Sequence, residues 1–132
     1  MASQQTTIAN DLKAAMAKVN ELFNVEVIGN RNFSALDQIY TADARILPPG
    51  GPMITGREAI RGFWRDLVQG GNIQSAALRS VDVMPSADGV VEIGNATIVA
   101  EGTPAMDVKY VVYWRAEDGQ WKWHVDIWNT NA

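Results

Sequence analysis

The sequence contains no cysteine, which removes a disulfide scaffold, thiol catalysis and thiolate-bound zinc or iron–sulfur centres. Histidine occurs once, as His124, so a metal site built from several histidines of one chain is excluded. Basic residues are few and scattered: 11 Lys and Arg stand against 15 Asp and Glu, a net charge of −4. Nucleic-acid binding normally needs a basic stripe, so none is expected. No apolar run approaches the ~20 residues of a membrane span, and the stretch from Met1 to Leu12 lacks the apolar centre of a secretory signal. A cytoplasmic chain, with no membrane partner, is the expectation. The acidic residues are too dispersed for a calcium loop, and no Gly-x-Gly-x-x-Gly follows a strand to cradle a phosphate.

What is present suits one domain over 1–132. Its 47% hydrophobic and 20% charged residues can bury a core that needs no covalent staple. Ile8, Leu12, Ala15, Met16, Val19 and Phe23 recur at three- and four-residue steps, predicting an amphipathic helix with N-caps offered by Ser3, Thr6 or Thr7 and a stop at Gly29-Asn30. Ser34 and Asp37 suggest a short second helix carrying Leu36, Ile39 and Tyr40. Ala44 to Leu47 reads as a brief strand, cut by Pro48-Pro49-Gly50-Gly51-Pro52. Thr55 and Glu58 form a capping box for a third helix whose face is Ile60, Phe63, Trp64, Leu67 and Val68, ended by Gly70-Gly71.

Beyond that point β-branched and aromatic residues gather in four runs, about 73–84, 89–100, 105–116 and 120–128. Hairpin-length breaks rich in turn formers separate them, which predicts an antiparallel meander. Helices segregated from such a sheet make an α+β domain, with three N-terminal helices packed in the mouth of a mainly antiparallel sheet. In the third run Met106, Val108, Tyr110, Val112 and Trp114 form an apolar face that should meet the helices. In the last run Trp121, Trp123, Val125 and Ile127 alternate with Lys122, His124, Asp126 and Trp128, unless a bulge exchanges the faces.

The stretch from Phe33 to Val68, with "Y-T-x-D-A", "G-R-E-A-I" and "F-W" in order, and the ending "DGQWKWHVDIWN" resemble the nuclear-transport-factor-like superfamily. Within it the sequence is most similar to SnoaL-like and ketosteroid-isomerase-like proteins and to the calcium/calmodulin-kinase association-domain-like group. The resemblance implies a strongly curved, cone-shaped sheet, cystatin-like in layout, with an apolar cavity at its open end, and frequent homodimerisation through the sheet. The superfamily holds isomerases, dehydratases, epoxide hydrolases and cyclases as well as non-catalytic binding domains, so the fold does not choose. Aligned on Ala42-Asp43-Ala44, the ketosteroid-isomerase base falls on Pro48, and residues 1–32 contain no Tyr to match that family's first-helix phenol. The final-strand aspartate of limonene epoxide hydrolases matches Asp126, while their partner Arg and Asp fall near Gly94-Asn95-Ala96.

Asp126 is therefore the leading candidate for a proton acceptor. His124 lies two residues away, a spacing that in a regular strand shares its face and would let the two divide proton-transfer work. An exposed, structurally bonded pair is the alternative. A carboxylate walled by Trp128 and other apolar groups would be raised in pKa by desolvation. Tyr40, Tyr110 and Tyr113 are candidate phenol donors to a developing oxyanion. Trp64, Trp128, Tyr40 and Tyr110 are the candidate substrate-binding residues, and packing is the competing role for each. Arg45 and Arg57 flank the Pro/Gly loop, where an ion pair with Asp43 or Glu58 competes with anion binding.

Two functions stay open. One is a cofactor-independent and metal-free isomerase, dehydratase or cyclase acting on a small apolar carbonyl or hydroxyl compound. The other is a non-catalytic ligand-binding or homo-oligomeric association domain. A homodimer is expected in either case, because Val111, Tyr113 and a last-strand Trp face are too apolar to leave bare.

Overall fold

The computed structural model describes residues 2–131, with side chains from Asp11 onward. Helix α1 runs Ala2–Leu22 and continues as a wider π-helical segment, Phe23–Gly29, in which Asn30 N–H reaches Val25 O at 3.0 Å. The wider turn puts Phe23, Val27 and Ile28 into the core together. The candidate caps Ser3, Thr6 and Thr7, and Ile8, lie outside the residues whose side chains are described.

A 3₁₀ turn, Phe33–Gln38, is shorter than the second helix anticipated. Tyr40 leaves it and opens strand β1, Tyr40–Leu47, which pairs with the two-residue β2, Ile54–Thr55, across the Pro/Gly loop. Helix α2 is Arg57–Gly70 and buries Ile60, Trp64 and Val68 at four-residue steps. Its cap is Gly56 (φ 95°), with no side-chain cap bond. Thr55 is held in the β1–β2 pair opposite Arg45, so the capping box does not form.

The meander follows as β3 (Ile73–Pro85), β4 (Val90–Ala100), β5 (Met106–Glu117) and β6 (Gln120–Thr130). The six strands form one curved, unclosed sheet in the order β2-β1-β6-β5-β4-β3. Every pairing is antiparallel except β1 with β6. Register shifts in β1–β6, β3–β4 and β5–β6 supply the local twist that curves it. On β5, Val108, Tyr110, Val112 and Trp114 are buried, while Met106 at the strand's edge is 44% exposed. No helix is long and apolar enough to cross a membrane among the described residues.

Candidate functional site

The parallel pairing of β1 with β6 sets Tyr40 beside Trp123 and Ile46 beside Asp126. Tyr40 OH donates to Asp126 Oδ2 at 2.6 Å and accepts from Trp64 Nε1 at 3.1 Å. Three elements, β1, β6 and α2, thus supply one directional relay, indole to phenol to carboxyl. Trp128 stacks on Trp64 with centroids 5.1 Å apart and planes 22° from parallel, and Phe63 packs edge-on against both. Trp64, Asp126 and Trp128 border a cavity of about 70 Å³ on the concave side of the sheet, whose wall also includes Tyr110 and Trp123 among apolar side chains.

Asp126 is buried, and its burial raises the carboxyl from 3.8 to about 7. The Tyr40 hydrogen bond works in the opposite direction and the negative charge of Glu92 adds to the rise; desolvation dominates. Burial and the neighbouring carboxyl also push the Tyr40 phenol well above its ordinary range, so it remains a donor.

A second buried carboxylate faces the same side. Glu92 is fully buried and accepts from Asn20 Nδ2 (3.2 Å), Tyr110 OH (2.9 Å) and Trp114 Nε1 (3.0 Å). It pairs across to Val112, which in turn pairs with Asp126, so the two carboxylates lie on one face two strands apart. Strand spacing puts that separation at about 10 Å. Glu92 was not among the residues the sequence singled out. It is in phase with Val90, Ala96 and Ile98, while the opposite phase of β4 holds Val91, Ile93 and Val99, so both phases carry apolar residues and alternation alone does not choose the inward face.

The candidate residues divide as follows. Asp126, Tyr40 and Trp64 form one hydrogen-bonded unit, and Tyr110 and Trp128 share its cavity wall. His124 does not join them. Trp114 pairs with Trp123 and Tyr113 with Val125, leaving His124 as the extra residue of a bulge. Its Nδ1 is 2.7 Å from Thr41 Oγ1 and 3.8 Å from Asp43, and its ring lies against Tyr113, which is out of phase with the buried Val112 and Trp114. The expectation that His124 and Asp126 share a face is therefore corrected: the bulge puts them on opposite sides of the sheet. Arg57 is likewise engaged, by Glu117 at 2.8 Å and Asp37 at 3.9 Å instead of Glu58.

In sequence, the SnoaL-like domain family matches residues 19–124. No curated protein matches at a significant level. Solved structures show the same fold at low identity. A hexachlorocyclohexane dehydrochlorinase from Novosphingobium barchaimii is 20% identical with a TM-score of 0.69, covering 94% of this chain and 89% of its own. A putative scytalone dehydratase from Novosphingobium aromaticivorans is 13% identical with a TM-score of 0.71, covering 100% and 89%. A putative calcium/calmodulin-dependent kinase II association domain from Thiobacillus denitrificans is 16% identical with a TM-score of 0.71, covering 86% and 93%.

Proposed function

The chain belongs to the SnoaL-like domain family, and we propose that it is a cofactor-independent proton-transfer enzyme, an isomerase, dehydratase or cyclase of a small, largely apolar carbonyl or hydroxyl compound. The observation that carries this reading is Asp126, a buried carboxyl on an apolar cavity, bonded on one oxygen and raised to about 7. Near neutrality such a group is present in both forms, so it takes a proton from carbon as carboxylate and returns one as acid. Tyr40 steadies the ionised form, and Trp64 fixes the Tyr40 hydroxyl so that the second carboxyl oxygen, Oδ1, is left for the substrate. Structural neighbours named as a dehydrochlorinase and a putative scytalone dehydratase support a reaction begun by proton removal.

The test is deuterium uptake and water loss, followed by NMR, for a panel of small cyclic ketones and β-hydroxy ketones. Rates with wild type should exceed those with Asp126→Asn by about 10²–10⁴, the usual worth of a general base. Equal rates would reject the assignment.

We propose further that the chain pairs with a second copy through its convex sheet face. Ile93, Val111 and Ile127 lie in one row across β4, β5 and β6, each 38–40% exposed. Sedimentation at micromolar concentration giving only the 14.4 kDa monomer would refute that pairing.

A further inference from the structure

Gly94 is buried on the concave phase of β4, in line with Val90, Glu92 and Ala96, and Tyr110 of β5 is its cross-strand partner. The Tyr110 ring lies down over that glycine. A Cβ added at 94 would overlap the Tyr110 Cζ and hydroxyl oxygen and come within 2.6 Å of Cε1, closer than real atoms pack. Two residues along the same face of β4, Glu92 accepts from the Tyr110 hydroxyl at 2.9 Å and holds the phenol in this low position. A missing side chain and one hydrogen bond thus lay an aromatic ring flat across the neighbouring strand, covering a glycine that would otherwise leave a gap in the sheet.

The upper side of the same ring is cavity wall. Tyr110 borders the cavity of about 70 Å³ together with Val108, Val112 and Trp128, and Gly94 lies underneath it. Val108 and Val112 flank the ring on its own strand, and Trp128 stands opposite it on β6. A ring driven off Gly94 therefore has the cavity as its way out. In so small a space, a few ångströms of lift remove the room a ligand needs.

We infer that Gly94 is a specificity-determining residue: by letting Tyr110 lie flat it keeps open the floor of the cavity beside Asp126, and a side chain at 94 raises the ring into the space the ligand occupies. The inference rests on the proton-transfer reading above for the kind of ligand, a small ketone or hydroxy compound, and on packing alone for the depth of its site. The floor offers ring carbon, because the hydroxyl is held by Glu92. The portion of the ligand seated there is accordingly flat hydrocarbon, with its oxygen turned elsewhere. Glu92 is a positioning residue in this arrangement and acts on the ligand through Tyr110.

Cyclopentanone binding, followed by NMR titration at millimolar concentrations, tests this in a double-variant cycle. Gly94→Ala should weaken binding about tenfold or more, the worth of keeping two methylene groups out of an apolar cavity. Tyr110→Leu keeps an apolar floor but lacks Cε1, Cζ and the hydroxyl, the atoms the new methyl would meet. In that background Gly94→Ala should change the affinity less than about twofold, since the two sites couple only through the ring. Nuclear Overhauser contacts between cyclopentanone and the Tyr110 ring are expected in wild type, and they decide the matter where Gly94→Ala does not fold. Equal weakening in both backgrounds, unchanged affinity in Gly94→Ala, absence of the Tyr110 contacts, or no binding of cyclopentanone by wild type overturns the inference. A cycle that passes in a protein whose Asp126→Asn variant exchanges substrate protons unimpaired would remove the base and leave the role of Gly94 standing.

Discussion

Replacing Asp126 with Asn should stabilise the protein, and by an amount that depends on pH. The carboxyl rises from 3.8 to about 7 on folding because it is buried. A carboxyl with a folded pKa above its unfolded one holds its proton more tightly in the native state. Its contribution is intact below about pH 4 and is lost as pH climbs through 7. At about 1.4 kcal/mol per pH unit, the native state at pH 8 bears at most roughly 4 kcal/mol for the ionised group. Asn has no such term, keeps the volume, and still bonds Tyr40 OH through its amide. Wild type and variant should therefore melt within a few degrees of each other at pH 4.5. By pH 8 the variant should lead by about 5–15 °C, given about 3–5 °C per kcal/mol for a chain of this size. Thermal melts by circular dichroism at both pH values check it, and titrating groups that do not interact with Asp126 cancel in the difference. A gap that does not change between pH 4.5 and 8, or a variant less stable at pH 8, would refute the reasoning and make Asp126 an ordinary paired carboxylate.

Other perturbations separate the roles of the neighbouring groups. Tyr40→Phe removes the bond that favours the charged form, so the Asp126 midpoint in a carbon-13 carboxyl titration should climb above that of wild type, with about 1–2 kcal/mol of stability lost to the orphaned Trp64 Nε1–H; a fall in the midpoint would contradict the relay. Glu92→Gln should have the opposite sign to Asp126→Asn, costing about 2–4 kcal/mol in urea denaturation, since an amide cannot accept from three donors with both of its ends. A neutral result there would contradict the three-donor arrangement around Glu92. His124→Ala should leave the Asp126 midpoint where it is and cost about 1 kcal/mol or less, because its partners Thr41 and Asp43 lie across the sheet from the cavity. A displaced midpoint would bring His124 back within reach of the carboxyl.

Much of the architecture was legible because its signals are local. The four meander strands, the face of α2 and the inward row of β5 each follow from a period that a short window contains. Tyr40 was harder. Leu36, Ile39 and Tyr40 fit a helical step as well as the actual break, and what decides is the distant pairing of Tyr40 with Trp123. Asp126 was legible as a candidate but its partner was misread, since a single unpaired residue in β6 is invisible when both phases of the strand carry tryptophan. Glu92 was hidden for a related reason: both phases of β4 carry apolar residues, Val90, Ala96 and Ile98 on one and Val91, Ile93 and Val99 on the other, and the convex one supplies Ile93 for the row it shares with Val111 and Ile127.

The unpaired His124 also sets the size of step by which such a cavity can change. Substitutions in β6 replace one wall group by another of the same orientation. An inserted or lost residue instead resets the parity of everything on one side of it, and so exchanges several wall groups at once without altering any of them. Because the bulge lies between Trp123 and Asp126, sliding it one position toward the N-terminus would aim His124 inward in place of Trp123, beside the same carboxyl and against the same relay. A cavity wall with an imidazole beside the carboxyl and one with an indole there are then neighbouring frames of one strand, separated by a backbone adjustment within a fixed set of amino acids.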